Sequence, residues 1–288
     1  MAKLIFGCGY LGFRVARLWR GAGETVFAVT RSHQRAGQLA AAGIEPIVGD
    51  LLGKSQVPIP QGVRTVLFAL GYDRASDHPI RDVYVNGLSH AMDWMPNSVN
   101  RFLYISSTGV YGKVIGSEVD EHSACEPSRE GGKACLASEH LLQDSRFASQ
   151  AVILRLAGLY GPGRIPRAAD LLAGRPIDAP ADGWLNLIHV DDAARIVVLA
   201  EERVSPPRTF VVSDGQPVPR ADYYAELARL LNVPPPQFTA PPVDSPAAQR
   251  AASNKRINSA RMFAELQPQL LYPNYRAGLA AIVAAGTN

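Results

Sequence analysis

The chain has 288 residues, 47% hydrophobic and 19% charged, with a formal net charge of +3, an ordinary globular composition able to bury one large core or a core plus a smaller lobe. No apolar run reaches the roughly 20 residues of a membrane span, and so small a charge with dispersed arginines argues against nucleic acid as the main partner. The N-terminal stretch is broken by glycines and then Arg14, and Cys8, Cys125 and Cys135 are an odd number without metal spacing, so reduced thiols, a cytoplasmic address and no membrane partner are expected.

Residues 3–6 read as a strand that runs into Gly7-Cys8-Gly9-Tyr10-Leu11-Gly12 and then an apolar helical run from Phe13 to Trp19. In such an order the first glycine permits a tight turn and the second lets a pyrophosphate approach the backbone. The third lets helix and strand pack closely, with helix N–H groups facing the phosphates. Gly7, Gly9, Tyr10, Leu11 and Gly12 are therefore expected to bind a dinucleotide; a glycine turn without ligand is the alternative. A second strand at 25–29 should end beside the adenosine ribose, where an acidic residue would select NAD. Thr30-Arg31-Ser32-His33-Gln34-Arg35 follows instead. Arg31 offers a forked donor for a 2′-phosphate, helped by Ser32 and Arg35, so NADP is expected in preference to NAD. The alternative for Arg31 is a solvated loop arginine.

Further short apolar strands at 45–48, 65–69, 101–105 and 152–156 alternate with helical patterns. This alternation predicts an α/β fold of Rossmann type, a doubly wound parallel sheet with helices on both faces, because right-handed crossovers place them there. Segments 186–189 and 209–212 are expected to return to the same sheet. The dinucleotide-binding domain should occupy residues 1–165, with about 185–215 returning to it, and 166–288 a smaller substrate-side lobe. Prolines at 234–236 and 241–242 read as an extended loop within that lobe, or as a disordered linker.

Landmarks accumulate along the same chain: Asp50 in Gly49-Asp50-Leu51, Asn86 in Val83-Tyr84-Val85-Asn86, and Ser106-Ser107-Thr108-Gly109-Val110-Tyr111-Gly112 at the end of the fifth strand. Arg155, the Tyr160-Gly161-Pro162-Gly163 loop and His189-Val190-Asp191-Asp192 follow. In this order they resemble the extended short-chain dehydrogenase/reductase superfamily, the NAD(P)-dependent epimerase/dehydratase group, over nearly the whole chain. The tail, from Asn254-Lys255-Arg256-Ile257 to Leu279, resembles a small bacterial subgroup of atypical members. The resemblance implies that Asp50 contacts adenine, that Ala69 and Leu70 line the cofactor before the nicotinamide, and that Ser107 hydrogen-bonds a substrate oxygen. Each has a plainer alternative: Asp50 as a turn or cap residue, Ser107 as a strand-end serine satisfying backbone, Asn86 as a helix tie, His189 as a core histidine.

Relatives carry Tyr-x-x-x-Lys at the start of the next helix, where the lysine and the nicotinamide charge tune the phenol for proton exchange. No such pair exists here; the segment is Glu126-Pro127-Ser128-Arg129-Glu130-Gly131-Gly132-Lys133-Ala134-Cys135. If Lys133 keeps the lysine position, Arg129 replaces tyrosine; if Glu139 sets the register, Gly131 and Cys135 fill the two places. In the first register Lys133 could still hold the nicotinamide ribose, Ser107 would orient the substrate oxygen, and Tyr111, Tyr160, another side chain or water would have to move the proton; each tyrosine reads equally as a packed aromatic. Cys135 reads as a small apolar side chain. Two functions stay open: an NADP-dependent oxidoreductase or epimerase acting on a small hydroxyl or carbonyl substrate, a sugar or nucleotide-linked sugar by analogy, and a non-catalytic NADP(H)-binding regulator. Helices at 83–94 and 133–143 offer Val83, Leu88, Met92, Leu136, Leu141 and Leu142 to a homodimer contact or to the core.

Overall fold

Strand β1 (Ala2–Phe6), with Leu4, Ile5 and Phe6 fully buried, runs through the middle of a seven-stranded parallel sheet. The others are β2 (Thr25–Thr30), β3 (Glu45–Val48), β4 (Val63–Phe68), β5 (Arg101–Ser107), β7 (Ala151–Leu156) and β12 (Arg208–Val212), in the order β12-β7-β5-β4-β1-β2-β3. The computed structural model describes residues 1–53, 55–73, 75, 77–112, 115–243, 245, 247–248 and 254–286.

Period-two alternation sends side chains of each strand to opposite faces. Ile5, Leu103 and Leu154 join one core with Val15 and Trp19 of α1 (Gly12–Gly21), while Leu4, Phe6, Phe102 and Ile153 join another. The first core also takes Ile196 and Val197 of α6 (Val190–Arg203), which packs on α1. The second takes Leu88 and Met92 of α3 (Gly87–Trp94) and Leu142 of α4 (Glu130–Gln143). Those three residues thus face the protein's own core; Val83, Leu136 and Leu141 are half-buried. Helix α2 (His33–Ala41) joins β2 to β3. Strand order reverses direction of travel between β1 and β4, and a crevice opens there beyond the carboxyl ends of the strands.

The segment expected at 186–189 does not rejoin the large sheet. Strand β11 (Leu187–His189) pairs in parallel with β8 (Gly158–Tyr160), because Gly158 N–H bonds Asn186 O while β12 already fills the edge beside β7. Segment 209–212 does return, as part of β12. Three further short pairs complete the molecule: β6 (Ile115–Val119) with β15 (Asn254–Ile257), β9 (Ile177–Asp178) with β14 (Phe238–Thr239), and β10 (Trp184–Leu185) with β13 (Val218–Pro219). Helices α5 (Ala168–Leu172), α7 (Arg220–Leu231) and α9 (Tyr275–Ala284) build a third core around Ile177, Leu187, Tyr223, Leu227 and Leu279. By contrast α8 (Ala260–Leu266) sends Met262 and Leu266 into the first core. Residues 234–237 are without regular structure between α7 and β14. Among the described residues no helix is long and apolar enough to cross a membrane, and no group of three His, Cys, Asp or Glu side chains is placed to hold a metal.

Candidate functional site

The three glycines after β1 are required for different reasons. Gly7 has φ +87°, and a Cβ there would lie 2.4 Å from the Ala69 carbonyl oxygen. A Cβ on Gly12 would lie 2.4 Å from the Gly7 carbonyl oxygen, so this glycine lets α1 sit against the turn. Gly9 differs: a Cβ there would meet nothing within 4 Å. With Gly7, Leu70, Gly71 and Asp73 it lines both of two adjoining cavities, and these shared residues mark the neck between them. The first turn of α1 carries no acidic residue and no side-chain cap, which leaves its positive dipole end facing the neck. Arg14, one turn further on, is held by Asp191 at 2.6 Å.

The first cavity, about 270 Å³, is lined by Gly7, Gly9, Arg31, Arg35, Asp50 and Leu70 among others. Arg31 is exposed at its rim, whereas the Arg35 guanidinium donates to Cys8 O at 3.0 Å and lies over the Phe13 ring at 4.9 Å. Asp50 lines the cavity and also accepts the Leu52 N–H at 3.0 Å, the turn role expected of it. Ser32 is a correction. It lies outside the lining of this cavity, and its hydroxyl caps α2 by accepting the Arg35 N–H at 3.2 Å.

Beyond the neck a larger cavity of about 740 Å³ is lined by Tyr10, Leu11, Ala69, Leu70, Ser107 and, from other elements, Tyr84, Arg129, Cys135, Arg164 and Lys255. The Tyr10 ring sits beneath Arg14 and Arg164, at 4.5 and 5.5 Å, and its hydroxyl donates to Pro162 O at 3.2 Å. Leu11 is 5% exposed and belongs mainly to the core. The Ser107 hydroxyl accepts the Gly109 N–H at 3.0 Å, and Arg129, the N-cap of α4, brings its guanidinium to the same glycine. Gly9 and Ser107 thus share one wall-to-wall cleft. Tyr84 accepts the Tyr72 N–H at 3.1 Å, and burial pushes its phenol above the ordinary range.

Lys133 is a second correction: its side chain is 54% exposed, it pairs with Glu130 at 2.8 Å, and it lines neither cavity. The helix register explains why. Gly132 packs so tightly that a Cβ would meet the Gly109 carbonyl oxygen at 2.3 Å, which turns residue 133 outward. Cys135 faces the cleft instead, its thiol pushed up to about 12 by burial and the Glu139 charge. Each of the two registers thus puts one of its two places on the cleft, Arg129 in the first and Cys135 in the second.

Tyr111 is a third correction. Fully buried in a cluster with Val110 and Val119, it accepts from Arg155 at 2.9 Å, and desolvation drives its phenol up despite that guanidinium. Arg155 in turn forks onto buried Glu139 at 2.6 Å, which also takes the Ser106 hydroxyl at 2.5 Å. Tyr160 is likewise fully buried, its hydroxyl 3.4 Å from Asn274 O. His189 is the core histidine: Nδ1 accepts the Asp191 N–H at 3.2 Å, burial lowers the ring's basicity, and Tyr160 and Tyr272 pack on it. Asp192 accepts the Leu271 and Tyr272 N–H groups at 2.7 and 2.9 Å, binding the tail to α6. Asn86 ties back to Asp82 at 3.0 Å. Of the residues in this network only Ser106 lines the larger cavity. Sequence reasoning did not single out Lys255, Arg164, Arg129 as a cleft residue in its own right, or Tyr84; the Asn254-Lys255-Arg256-Ile257 tail motif was the available signal for the first.

The model of the NAD dependent epimerase/dehydratase family matches residues 4–213. Protein YeeZ of Escherichia coli strain K12 is 29% identical over 197 residues, 68% of each chain. A functionally unknown conserved protein from Silicibacter pomeroyi superposes with a TM-score of 0.84 at 29% identity, covering 100% of this chain and 99% of its own. MoeE5, in complex with UDP-glucose and NAD, has the same fold at TM-score 0.78 and 21% identity, covering 99% and 98%.

Proposed function

We propose that this chain, which belongs to the NAD dependent epimerase/dehydratase family, binds NADP(H) along the groove and acts as an oxidoreductase or epimerase on a small hydroxyl or carbonyl compound. The observation that carries the reading is Gly9, which lines both cavities beside the sheet's switch point and leaves open space where a side chain would stand. The dinucleotide that MoeE5 carries on the same fold supports it. Arg31 at the rim of the first cavity would hold a 2′-phosphate, Asp50 the adenine, and the α1 dipole the pyrophosphate. Bound there, the cofactor supplies or accepts a hydride. Ser107 would orient the substrate oxygen, and Arg129 and Arg164 give this end of the cleft a positive field suited to an anionic or sugar-linked substrate.

A second reading, a non-catalytic NADP(H)-binding regulator, is favoured by one observation: neither Arg129 with Lys133 nor Gly131 with Cys135 repeats the tyrosine and lysine of relatives. For the cofactor, calorimetric titration of NADPH and NADH into the native protein and Arg31→Ala is the test. The variant should lose NADPH affinity by about 10-fold, the lower end of a charged hydrogen bond because Arg31 is exposed, and leave NADH unchanged. Equal losses, or tighter NADH binding by the native protein, would remove the NADP preference.

A further inference from the structure

The start of α4 offers no tyrosine and lysine pair in either register, yet Lys255 lines the same cleft from another part of the chain. Strand β15 pairs in parallel with β6, Arg256 opposite Glu118. Alternation then divides its side chains. The Asn254 side chain accepts the Trp184 N–H at 2.9 Å, and the Arg256 guanidinium lies over the Trp184 ring at 5.6 Å, on the far side. Lys255, between them, is only 7% exposed and lines the cleft that holds Ser107 and Arg129. Asn186 fixes it there, donating to Lys255 O at 2.9 Å and accepting the Ile257 N–H at 2.7 Å.

Resting on the cofactor reading above, we propose that Lys255 replaces the missing tyrosine and lysine as the group that exchanges a proton with the substrate oxygen. In the reducing direction the carbonyl π bond breaks as its carbon accepts the hydride supplied by the reduced dinucleotide, and its oxygen takes the proton from the breaking Nζ–H bond. The substrate gains two electrons, the nicotinamide loses two, and the neutral amine regains a proton from water. Burial and the Arg129 charge lower the Lys255 ammonium to about 8, so it is charged at neutrality yet able to release its proton. The other groups facing this cleft do not compete. Arg129 and Arg164 bring guanidinium donors, burial raises the Tyr10, Tyr84 and Tyr104 phenols and the Cys135 thiol, the Tyr72 hydroxyl donates to His78 O, Asp73 accepts the Ala75 N–H, and Glu118 on the paired strand is exposed and bonded to Asn258.

The test uses the full chain with ¹³Cε-labelled lysine, Lys255→Met identifying the resonance. Lys255 should titrate near 8 while ordinary lysines titrate near about 10.4. Saturating NADPH should shift its resonance, and adenosine 2′,5′-bisphosphate, which reaches only the first cavity, should not. Over a panel of sugar, nucleotide-sugar and simple aldehydes and ketones, NADPH oxidation by the native protein should fall above about pH 8. Lys255→Met should lower it by about 10²-fold to 10⁴-fold with NADPH affinity within about threefold. If calorimetry shows no NADPH binding, the cofactor reading falls and takes this proposal with it. NADPH binding with an unmoved or ordinary Lys255, or with no oxidation by any panel member, overturns the Lys255 role alone and leaves the regulator.

Discussion

Replacing Gly9 by valine separates folding from binding in a way that replacing its neighbours does not. No protein atom lies within 4 Å of a Cβ at position 9, and the backbone there is outside the left-handed region, so the variant should fold with little change. Alanine at Gly7 would carry φ +87° and meet Ala69 O at 2.4 Å, and alanine at Gly12 would meet Gly7 O at 2.4 Å. Both must move backbone, at a cost of several kcal/mol. The introduced valine side chain would instead stand in the neck between the cavities, where the pyrophosphate has to cross. Losing two charge-assisted hydrogen bonds of about 1.5–3 kcal/mol each weakens NADPH by about 10²-fold to 10⁴-fold. Thermal denaturation should rank Gly9→Val near the native protein and well above Gly7→Ala and Gly12→Ala, while calorimetry should show Gly9→Val failing to bind. A Gly9→Val protein that binds NADPH normally, or that is as unstable as Gly7→Ala, would refute the reasoning.

Buried charge sets the stability of two further sites. Asp214 is buried, with Oδ1 accepting the Gln216 N–H at 2.9 Å, and desolvation raises its carboxyl to about 7. A raised carboxyl stabilises the fold fully below its unfolded value near about 3.9 and loses that contribution as pH climbs toward 7. Asp214→Asn should therefore gain in Tm relative to the native protein between about pH 4 and 7 and keep a constant lead above it; a lead independent of pH would contradict this. Arg155→Met strands the Glu139 carboxylate, 1% exposed, without its fork and should cost about 3–5 kcal/mol in urea denaturation. A loss below about 1 kcal/mol would show that the pair is not what holds β7, α4 and Tyr111 together.

The glycine turn, the parallel sheet and the exposed Arg31 were legible because each is written in contiguous residues: alternation fixes strand faces, and the turn needs small residues at fixed steps. Asp50, Ala69, Leu70 and Ser107 follow strand ends and fall on the groove for the same local reason. Lys133 points away from the cleft because one close contact, Gly132 against Gly109, sets the rotation of α4, and no pattern within the helix reveals it. Tyr111 looked like a loop residue near the cleft; its burial depends on Arg155, 44 positions away. Segment 186–189 joins β8 rather than the large sheet because a short apolar run does not name its partner. Lys255 was invisible as a cleft residue, since only the pairing of β15 with β6 carries it there.

A crystal structure of the full chain with NADPH tests the central claim most directly. The account predicts the 2′-phosphate against Arg31, the pyrophosphate over Gly9 and the start of α1, and the nicotinamide in the larger cavity between Ser107 and Lys255. A dinucleotide that leaves the Gly9 neck empty, or lies with its nicotinamide at Arg31, would contradict it.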